Sequence, residues 1–277
     1  MTASAASTGA TPRRRAPRPA RGGQRQLLDE LRHAAHRGQL RLAYQPIHSL
    51  RGAGAPDFEA LLRWHHPLLG EVAPERFIAL AEHSGLILEI GDWVLRTAAA
   101  DCRRLRACSG RAVRVGVNVS PLQLGSRATM QLWLQHLREL ELPADALTVE
   151  ITERVMLRHP EAVAGQLRLL ADAGVRIALD DFGVGDSNLA MLGQLPVHAL
   201  KLDRSLTQAL VASERHRTIA GSMVGMAHRL RMQVVAEGVE QTTQAAITQE
   251  LGCDFAQGWW YGRPLSAAQT EQWLRAA

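Results

Sequence analysis

The sequence predicts an α/β fold, most simply a barrel of the (β/α)8 type, on three observations. Short apolar runs alternate with longer amphipathic stretches along the chain. From residue 113 onward the alternation repeats at roughly 20–36 residues, which is typical of parallel strands joined by crossover helices. Several runs are continuous in Val, Ile and Leu, as in strands that are buried on both faces. A doubly wound open sheet is the alternative, but no GxGxxG or GxxxxGK[ST] phosphate loop follows any strand.

Eight segments are predicted as strands because they are short, apolar and rich in β-branched residues. In chain order they are RLAYQPI 41–47, DFEALLRW 57–64, VRVGVNVS 113–120, LTVEIT 147–152, VRIALDDF 175–182, ALKLDR 199–204, VVAEGV 234–239 and FAQGWWYG 255–262. Helices are predicted between them in amphipathic stretches, some of which open at a proline and close at a glycine. These stretches are 74–85, 86–107, 160–174, 215–232 and 240–252.

The positive charge is concentrated at the N-terminus. Residues 1–26 hold six arginines and no acidic residue, whereas the remainder has 26 basic and 27 acidic residues, a net charge of −1. We therefore do not expect the folded part to bind nucleic acid. The first 26 residues are rich in Ala, Pro, Gly, Ser and Arg and have few large apolar side chains, so we predict a disordered tail over 1–26 and one barrel domain over 27–277.

Several other classes of protein are not indicated. The three cysteines lack CxxC spacing and the histidines lack HxxxH spacing, so neither a disulfide framework nor a zinc site is predicted. No stretch approaches the ~18 apolar residues of a membrane span. The N-terminus has no apolar segment of the signal-peptide kind. We expect a cytoplasmic protein with reduced thiols.

Polar side chains end most of the predicted strands. An ionised group in an apolar strand costs several kcal/mol unless it is paired or bound to a metal. Because the carboxyl ends of barrel strands meet on one face, we expect these side chains to lie together, where cations must offset the repulsion between carboxylates. Their oxygen donors favour Mg²⁺ or Mn²⁺, and two such ions would activate water for attack on a phosphate ester. The residues are Glu59, Asn118, Glu150, Asp180, Asp181, Lys201, Glu237 and Gln257.

One of these residues, Lys201, is the only lysine among the 32 basic residues of the chain. Arginine is a broad planar fork, whereas lysine is a compact point charge that can approach a small water or phosphate oxygen. A lysine between two strands that carry acids therefore indicates a position where the shape of the cation matters.

Taken together, these segments resemble the EAL-domain phosphodiesterases of the bacterial second messenger cyclic di-GMP. The matching motifs run in the family's order from residue 41 to 264. They are YQPI 44–47, EALLRW 59–64, NVS 118–120, EITE 150–153, DDFGVGDSN 180–188, KLD 201–203, AEGVE 236–240 and AQGWWYGRP 256–264.

The resemblance implies a barrel whose first strand is antiparallel to the others, a homodimer, and hydrolysis of cyclic di-GMP to linear pGpG with two Mg²⁺ or Mn²⁺ ions. By motif, the implied ligands of the first ion are Glu59, Asn118, Glu150 and Asp180. Asp180 would bridge to the second ion, which Asp181 and Glu237 would also bind.

The resemblance also implies roles for the remaining motif residues. Lys201 would hold the attacking water, Glu237 is the family's proposed general base, and Gln257 would orient that water or a ligand. Gln45 and Arg63 look like substrate contacts, while Glu153 and Glu240 look like a loop anchor and a supporting acid.

The chain departs from the family pattern in the loop after the Asp pair. It has Val184 where the family usually has Thr or Ala, and Asp186 where the family usually has Tyr. We expect Asp186 to repel Glu153 and loosen this loop. The alternative to an active enzyme is therefore a weak or silent module that binds cyclic di-GMP and acts through a protein partner.

Overall fold

A computed structural model of the chain describes residues 21–52, 54, 56–152, 160–183 and 192–276. The strands of these residues are β1 (Leu40–Ser49), β2 (Asp57–His66), β3 (Gly70–Val72), β4 (Arg114–Asn118), β5 (Leu147–Thr152), β6 (Arg176–Phe182), β7 (Ala199–Leu202), β8 (Gln233–Ala236), β9 (Phe255–Gln257) and β10 (Leu265–Ser266). The helices are α1 (Arg21–Arg32), α2 (Pro74–Ser84), α3 (Ile87–Ser109), α4 (Pro121–Leu124), α5 (Arg127–Glu139), α6 (Pro160–Asp172), α7 (Arg204–Ala209), α8 (Glu214–Arg229), α9 (Thr242–Glu250) and α10 (Ala267–Ala276), with a 3-10 turn at Ala144–Ala146.

Eight of these strands close into a barrel in the order β1-β2-β4-β5-β6-β7-β8-β9, and β9 pairs back with β1. The pairs from β2 round to β9 are parallel, whereas β1 is antiparallel to both of its barrel neighbours. Both the predicted barrel and its antiparallel first strand are confirmed. Strands β3 and β10 add short antiparallel edges to β2 and β1.

The core lies between the barrel and its surrounding helices. The large side chains of Phe58, Trp64, Phe77 and Trp133 are fully or almost fully buried there. On α3 the buried residues recur at helical spacing, so one face of this long helix covers the barrel while the other meets solvent. A packed core of this kind gives rigid support to the strand ends.

The first helix differs from the sequence prediction. It begins at Arg21, so the predicted boundary between tail and domain at residue 26 falls inside it. Leu27 and Leu31 are buried in the core, and Glu30 accepts a hydrogen bond from the buried ring of His66 at 2.6 Å. Residues 1–20 of the predicted tail lie outside the described residues.

Two other segments also differ from prediction. The last strand ends at Gln257, whereas the prediction carried it to 262. The next residue must be glycine, because a Cβ at Gly258 would lie 2.1 Å from the carbonyl oxygen of Val239. Helices α4 and α5 occupy a region for which no helix was predicted, although the hydroxyl of Ser126 caps α5 by accepting from the N–H of Thr129, and the side chain of Gln123 accepts from the N–H of Ser120 at the start of α4. None of the described helices is long and apolar enough to cross a membrane.

Candidate metal and substrate site

The carboxyl ends of the parallel strands form one mouth of the barrel, and an ammonium group lies at its centre. Lys201 on β7 is 1% exposed. Its Nζ lies 2.6 Å from Glu150, 2.8 Å from Glu237, and 3.3 Å from both Glu59 and Asp180. The four acids come from β2, β5, β6 and the turn after β8, so the convergence predicted from the strand ends is observed.

Two amides complete the hydrogen bonding of Glu59. Asn118 donates to its Oε1 at 2.7 Å, and Gln257 donates to its Oε2 at 2.7 Å. The same amide nitrogen of Gln257 lies 3.3 Å from the Oε1 of Gln45 on β1. Gln45 therefore reaches the site, and the antiparallel direction of β1 places it opposite Glu59 in the strand register.

An irregularity in β6 brings both members of the Asp pair to the mouth. Adjacent residues of a regular strand point to opposite faces. The pairing between β6 and β7 shifts register between Leu179 and Phe182, and Asp181 has a positive φ of 55°. A positive φ is uncommon outside glycine, although Asp tolerates it better than most residues. The backbone N–H of Asp181 donates to the carboxylate of Asp180 at 3.0 Å.

The acids form two groups that share Asp180. One oxygen from each of Glu59, Glu150 and Asp180 lies within 4.8 Å of the others, and the same holds for Asp180, Asp181 and Glu237. All of these donors are oxygens, which suits hard divalent cations. In addition, the Oε1 of Gln257 is buried and accepts no hydrogen bond from the described residues, as expected if it faces a ligand or a water. The residues therefore fit a two-ion site.

The pKa shifts of these acids show how crowded the charges are. Burial, and then repulsion from Asp180 and Glu59, raises the pKa of Glu237 to about 8 against the attraction of Lys201. Burial, together with repulsion from Glu59, holds the pKa of Glu150 well above its usual range. Burial acts the same way on Glu59, but the charge of Lys201 and the two amide donors outweigh it and lower the pKa of that carboxyl.

Lys201 itself stays charged. Burial alone would lower its pKa, but Asp180, Glu150, Glu237 and Glu59 outweigh that effect and raise the pKa well above its usual value. A fixed ammonium thus supplies one positive charge where several negative charges meet. The remaining imbalance is what bound cations would offset.

Arg63 on β2 has a guanidinium near this mouth that is not paired with an acidic side chain of the described residues. It is half-buried and donates to the carbonyl of Leu62 at 3.0 Å, with no acidic side chain within 4.0 Å among the described residues. Burial lowers its pKa although Glu59 partly opposes this, but an arginine stays charged. A planar donor without an acidic partner suits a phosphate oxygen.

The sequence reading did not assign a second group of residues at the mouth. Arg204 follows β7 and donates to Glu240 at 2.8 Å, which accounts for the position of this predicted supporting acid. The exposed ring of Trp259 lies 6.0 Å from the guanidinium of Arg204 and 4.4 Å from that of Arg263. The only sequence signal was the unusual WWYGR run, in which adjacent tryptophans follow a strand end.

Three residues discussed from the sequence are not located. Glu153, the predicted loop anchor, and the two departures Val184 and Asp186 lie outside the described residues.

Comparison with known proteins places these features in a family. The model of the EAL domain matches residues 28–264. The cyclic di-GMP phosphodiesterase NbdA of Pseudomonas aeruginosa is 42% identical over 252 residues, which are 91% of this chain and 32% of that protein. The cyclic di-GMP phosphodiesterase PA2567 of the same organism is 36% identical, covering 84% of this chain and 40% of that protein. The chain thus spans about a third of the length of these curated relatives.

Solved structures give the same result. The PaMucR phosphodiesterase in complex with c-di-GMP has a TM-score of 0.82 and 38% identity, covering 88% of this chain and 99% of that one. The EAL enzyme Bd1971, solved with cAMP and cyclic di-GMP bound, has a TM-score of 0.86 and 27% identity, covering 91% of this chain and 69% of that one. With the motifs, the barrel and the acidic mouth in agreement, the chain belongs to the EAL domain family.

Proposed function

We propose that this chain hydrolyses one phosphodiester bond of cyclic di-GMP to give linear pGpG, using two Mg²⁺ or Mn²⁺ ions. The observation that carries the proposal is the pair of oxygen-donor groups sharing Asp180, arranged around Lys201. Two relatives named as cyclic di-GMP phosphodiesterases, and a related structure in complex with the dinucleotide, support the choice of substrate.

The ions would be held by residues from five strand ends. Glu59, Asn118, Glu150 and Asp180 are the proposed ligands of the first ion, and Asp180, Asp181 and Glu237 of the second. The amide of Asn118 lies beside this group, since its nitrogen donates to Glu59 at 2.7 Å, and its carbonyl oxygen is the atom that would bind the ion. Bound here, the ions would supply Lewis-acid stabilisation of the phosphoryl group and make water easier to deprotonate.

The protein would position the attacking water between Lys201 and Gln257. The ammonium can donate a hydrogen bond to the water, while the buried Oε1 of Gln257 lacks a donor among the described residues and can accept one. Glu237 lies 2.8 Å from the same ammonium, where its carboxylate can receive the proton that the water loses. In this arrangement each group would contact the attacking water, so we propose Lys201, Glu237 and Gln257 as the catalytic residues.

Substrate contacts are proposed on the β1–β2 side of the mouth. The guanidinium of Arg63 can donate to a phosphate oxygen of the substrate, since no acidic side chain of the described residues neutralises it. The amide of Gln45 donates to the carbonyl of Gly262 at 3.2 Å, which links β1 to the turn that carries Trp259. Removal of either side chain should therefore weaken substrate binding.

A homodimer and a cytoplasmic location are also proposed, on the family resemblance. Glu153 is proposed as the anchor of the loop after β6, and Glu240 as a supporting acid through its contact with Arg204. Multi-angle light scattering at several protein concentrations tests the dimer.

Incubation of the purified chain with cyclic di-GMP tests the proposed reaction. We expect pGpG with Mg²⁺ or Mn²⁺, none in excess chelator, and inhibition by Ca²⁺, which is larger and prefers looser coordination. Chromatography separates the cyclic and linear products. Full turnover in chelator would reject the two-ion mechanism, whereas tight binding without pGpG would favour the binding-module alternative.

A further inference from the structure

Gly116 on β4 lies against the carboxylate of Glu150 inside the barrel. A Cβ placed at Gly116 would be 2.0 Å from the Oε1 of Glu150 and 2.8 Å from its Cδ. The carboxylate therefore fills the space that a side chain at position 116 would occupy, which we call the Gly116 niche. The φ of Gly116 is not positive, so the backbone there accepts an L-residue. What matters at this position is therefore the space left by the absent side chain, not the backbone conformation of glycine.

The Gly116 niche determines what Glu150 contacts. With its Oε1 in the niche, Glu150 directs its Oε2 to Lys201 at 2.6 Å, the shortest of the four contacts of that ammonium. The same residue belongs to the oxygen-donor group with Glu59 and Asp180. The ammonium of Lys201 and a divalent cation thus compete for the carboxylate of Glu150, and the Gly116 niche favours its contact with the ammonium.

We propose that Gly116 is a positioning residue that holds Glu150 on Lys201 in the metal-free protein and thereby sets the affinity of the site for divalent cations. The proposal rests on the proposed function, because it takes Glu150 as a ligand of the first ion. A Cβ at position 116 would force the flexible carboxylate to rotate toward the mouth. The metal-free state would lose the contact with Lys201, whereas the ion-bound state would keep its ligand.

The test is Gly116→Ala in the full chain, measured by calorimetric titration with Mn²⁺ and by thermal unfolding without metal. We expect Mn²⁺ to bind about tenfold more tightly and the metal-free variant to unfold at a lower temperature, since one buried ion contact is lost only in that state. Gly165→Ala is the matched control. Gly165 is exposed on α6, and no described atom lies within 4 Å of the place that its Cβ would take, so this variant should show neither effect.

A double variant separates positioning from a general effect of alanine in a strand. In the Glu150→Ala background the niche is empty, so adding Gly116→Ala should no longer lower the unfolding temperature. Unchanged or weaker Mn²⁺ binding by Gly116→Ala, or the same loss of stability in the Glu150→Ala background, would overturn the proposal. If the parent chain hydrolyses cyclic di-GMP with Mn²⁺, such a result leaves the proposed function intact. If the parent chain binds no Mn²⁺, both the proposal and the two-ion reaction fail.

Discussion

At the scale of single residues, the site is organised around one buried cation. Lys201 has four carboxylates within 3.3 Å and is 1% exposed. The ammonium reduces the repulsion between these carboxylates, while burial and the remaining repulsion raise the pKa values of Glu150 and Glu237. The single lysine of an arginine-rich sequence thus lies where a wide guanidinium would meet acids on several sides.

The first prediction concerns the shape of this cation. Lys201→Arg keeps the charge but replaces a compact donor with a planar fork, which has no room among four acids and a water. We expect turnover of cyclic di-GMP to fall about 100-fold or more, as on losing a well-placed electrostatic donor, with substrate binding reduced much less. Steady-state kinetics and calorimetry measure the two effects. Arg96→Lys, in an exposed ion pair with Asp92 on α3, is the control. Near-normal turnover of Lys201→Arg would show that only the charge of the lysine matters, not its shape.

The second prediction concerns Glu59, whose carboxylate accepts hydrogen bonds from the amides of Asn118 and Gln257. Glu59→Ala removes a proposed ligand and should abolish hydrolysis and lower Mn²⁺ affinity while the barrel stays folded. Relief of repulsion among the remaining acids can offset the contacts that are lost. Product analysis, calorimetric titration and circular dichroism test these outcomes. Retention of more than a few per cent of activity would show that Glu59 is not a ligand.

At the scale of secondary-structure elements, the sequence predicted the strands better than the turns that finish them. The predicted strand at 57–64 corresponds to Asp57–His66, because Phe58, Ala60 and Trp64 lie at even-numbered positions and are buried together, as the two-residue period of a strand requires. The shared orientation of Asp180 and Asp181 could not be derived, since regular pleating separates neighbours and only the shifted register in β6 unites them. Helix α5 was missed although Ser126 accepts a hydrogen bond from the N–H of Thr129, a capping signal that the sequence does carry.

The third prediction concerns a hydrogen bond between β1 and the helix α3 that packs against it. The buried hydroxyl of Tyr44 donates to Asp101 on α3 at 2.6 Å. Tyr44→Phe removes this charge-assisted bond and should lower the free energy of unfolding by about 2 kcal/mol. Urea denaturation measures the change. Tyr261→Phe is the matched control, because the hydroxyl of Tyr261 makes no hydrogen bond with the described residues, and equal effects would show that the bond to Asp101 contributes nothing.

At the scale of the whole molecule, the charges of the mouth couple ion binding to pH. The pKa of Glu237 is about 8 in the metal-free protein, and that of Glu150 is also raised. Glu237 therefore holds a proton near neutral pH that a bound cation must displace. Glu237 also binds its proton more tightly in the folded than in the unfolded chain, so its contribution to stability is lost as pH rises from about 4.5 to 8.

The fourth prediction follows from that coupling. The affinity for Mn²⁺ should rise as the pH is raised from about 6.5 to about 8.5, and binding near neutral pH should release protons. Calorimetric titrations in buffers of different ionisation enthalpy count the released protons. The Glu237→Gln variant, which cannot ionise at that position, should release fewer. An affinity that does not change with pH would contradict the raised pKa of Glu237.

The antiparallel first strand also has a consequence for how the chain folds. Strands β1 and β2 are neighbours in sequence and pair over eight residues, so they can form a hairpin early from local contacts. Closure of the barrel instead needs β1 to meet β9, more than 200 residues later, at the loop-closure entropy that such distant contacts require. Glu59 lies on the early hairpin, whereas Gln257, 198 residues further along, lies on the closing strand. The site is therefore complete only after the barrel has closed. A nascent or partly unfolded chain would contain the acidic residues but would not hold them in the arrangement of the site.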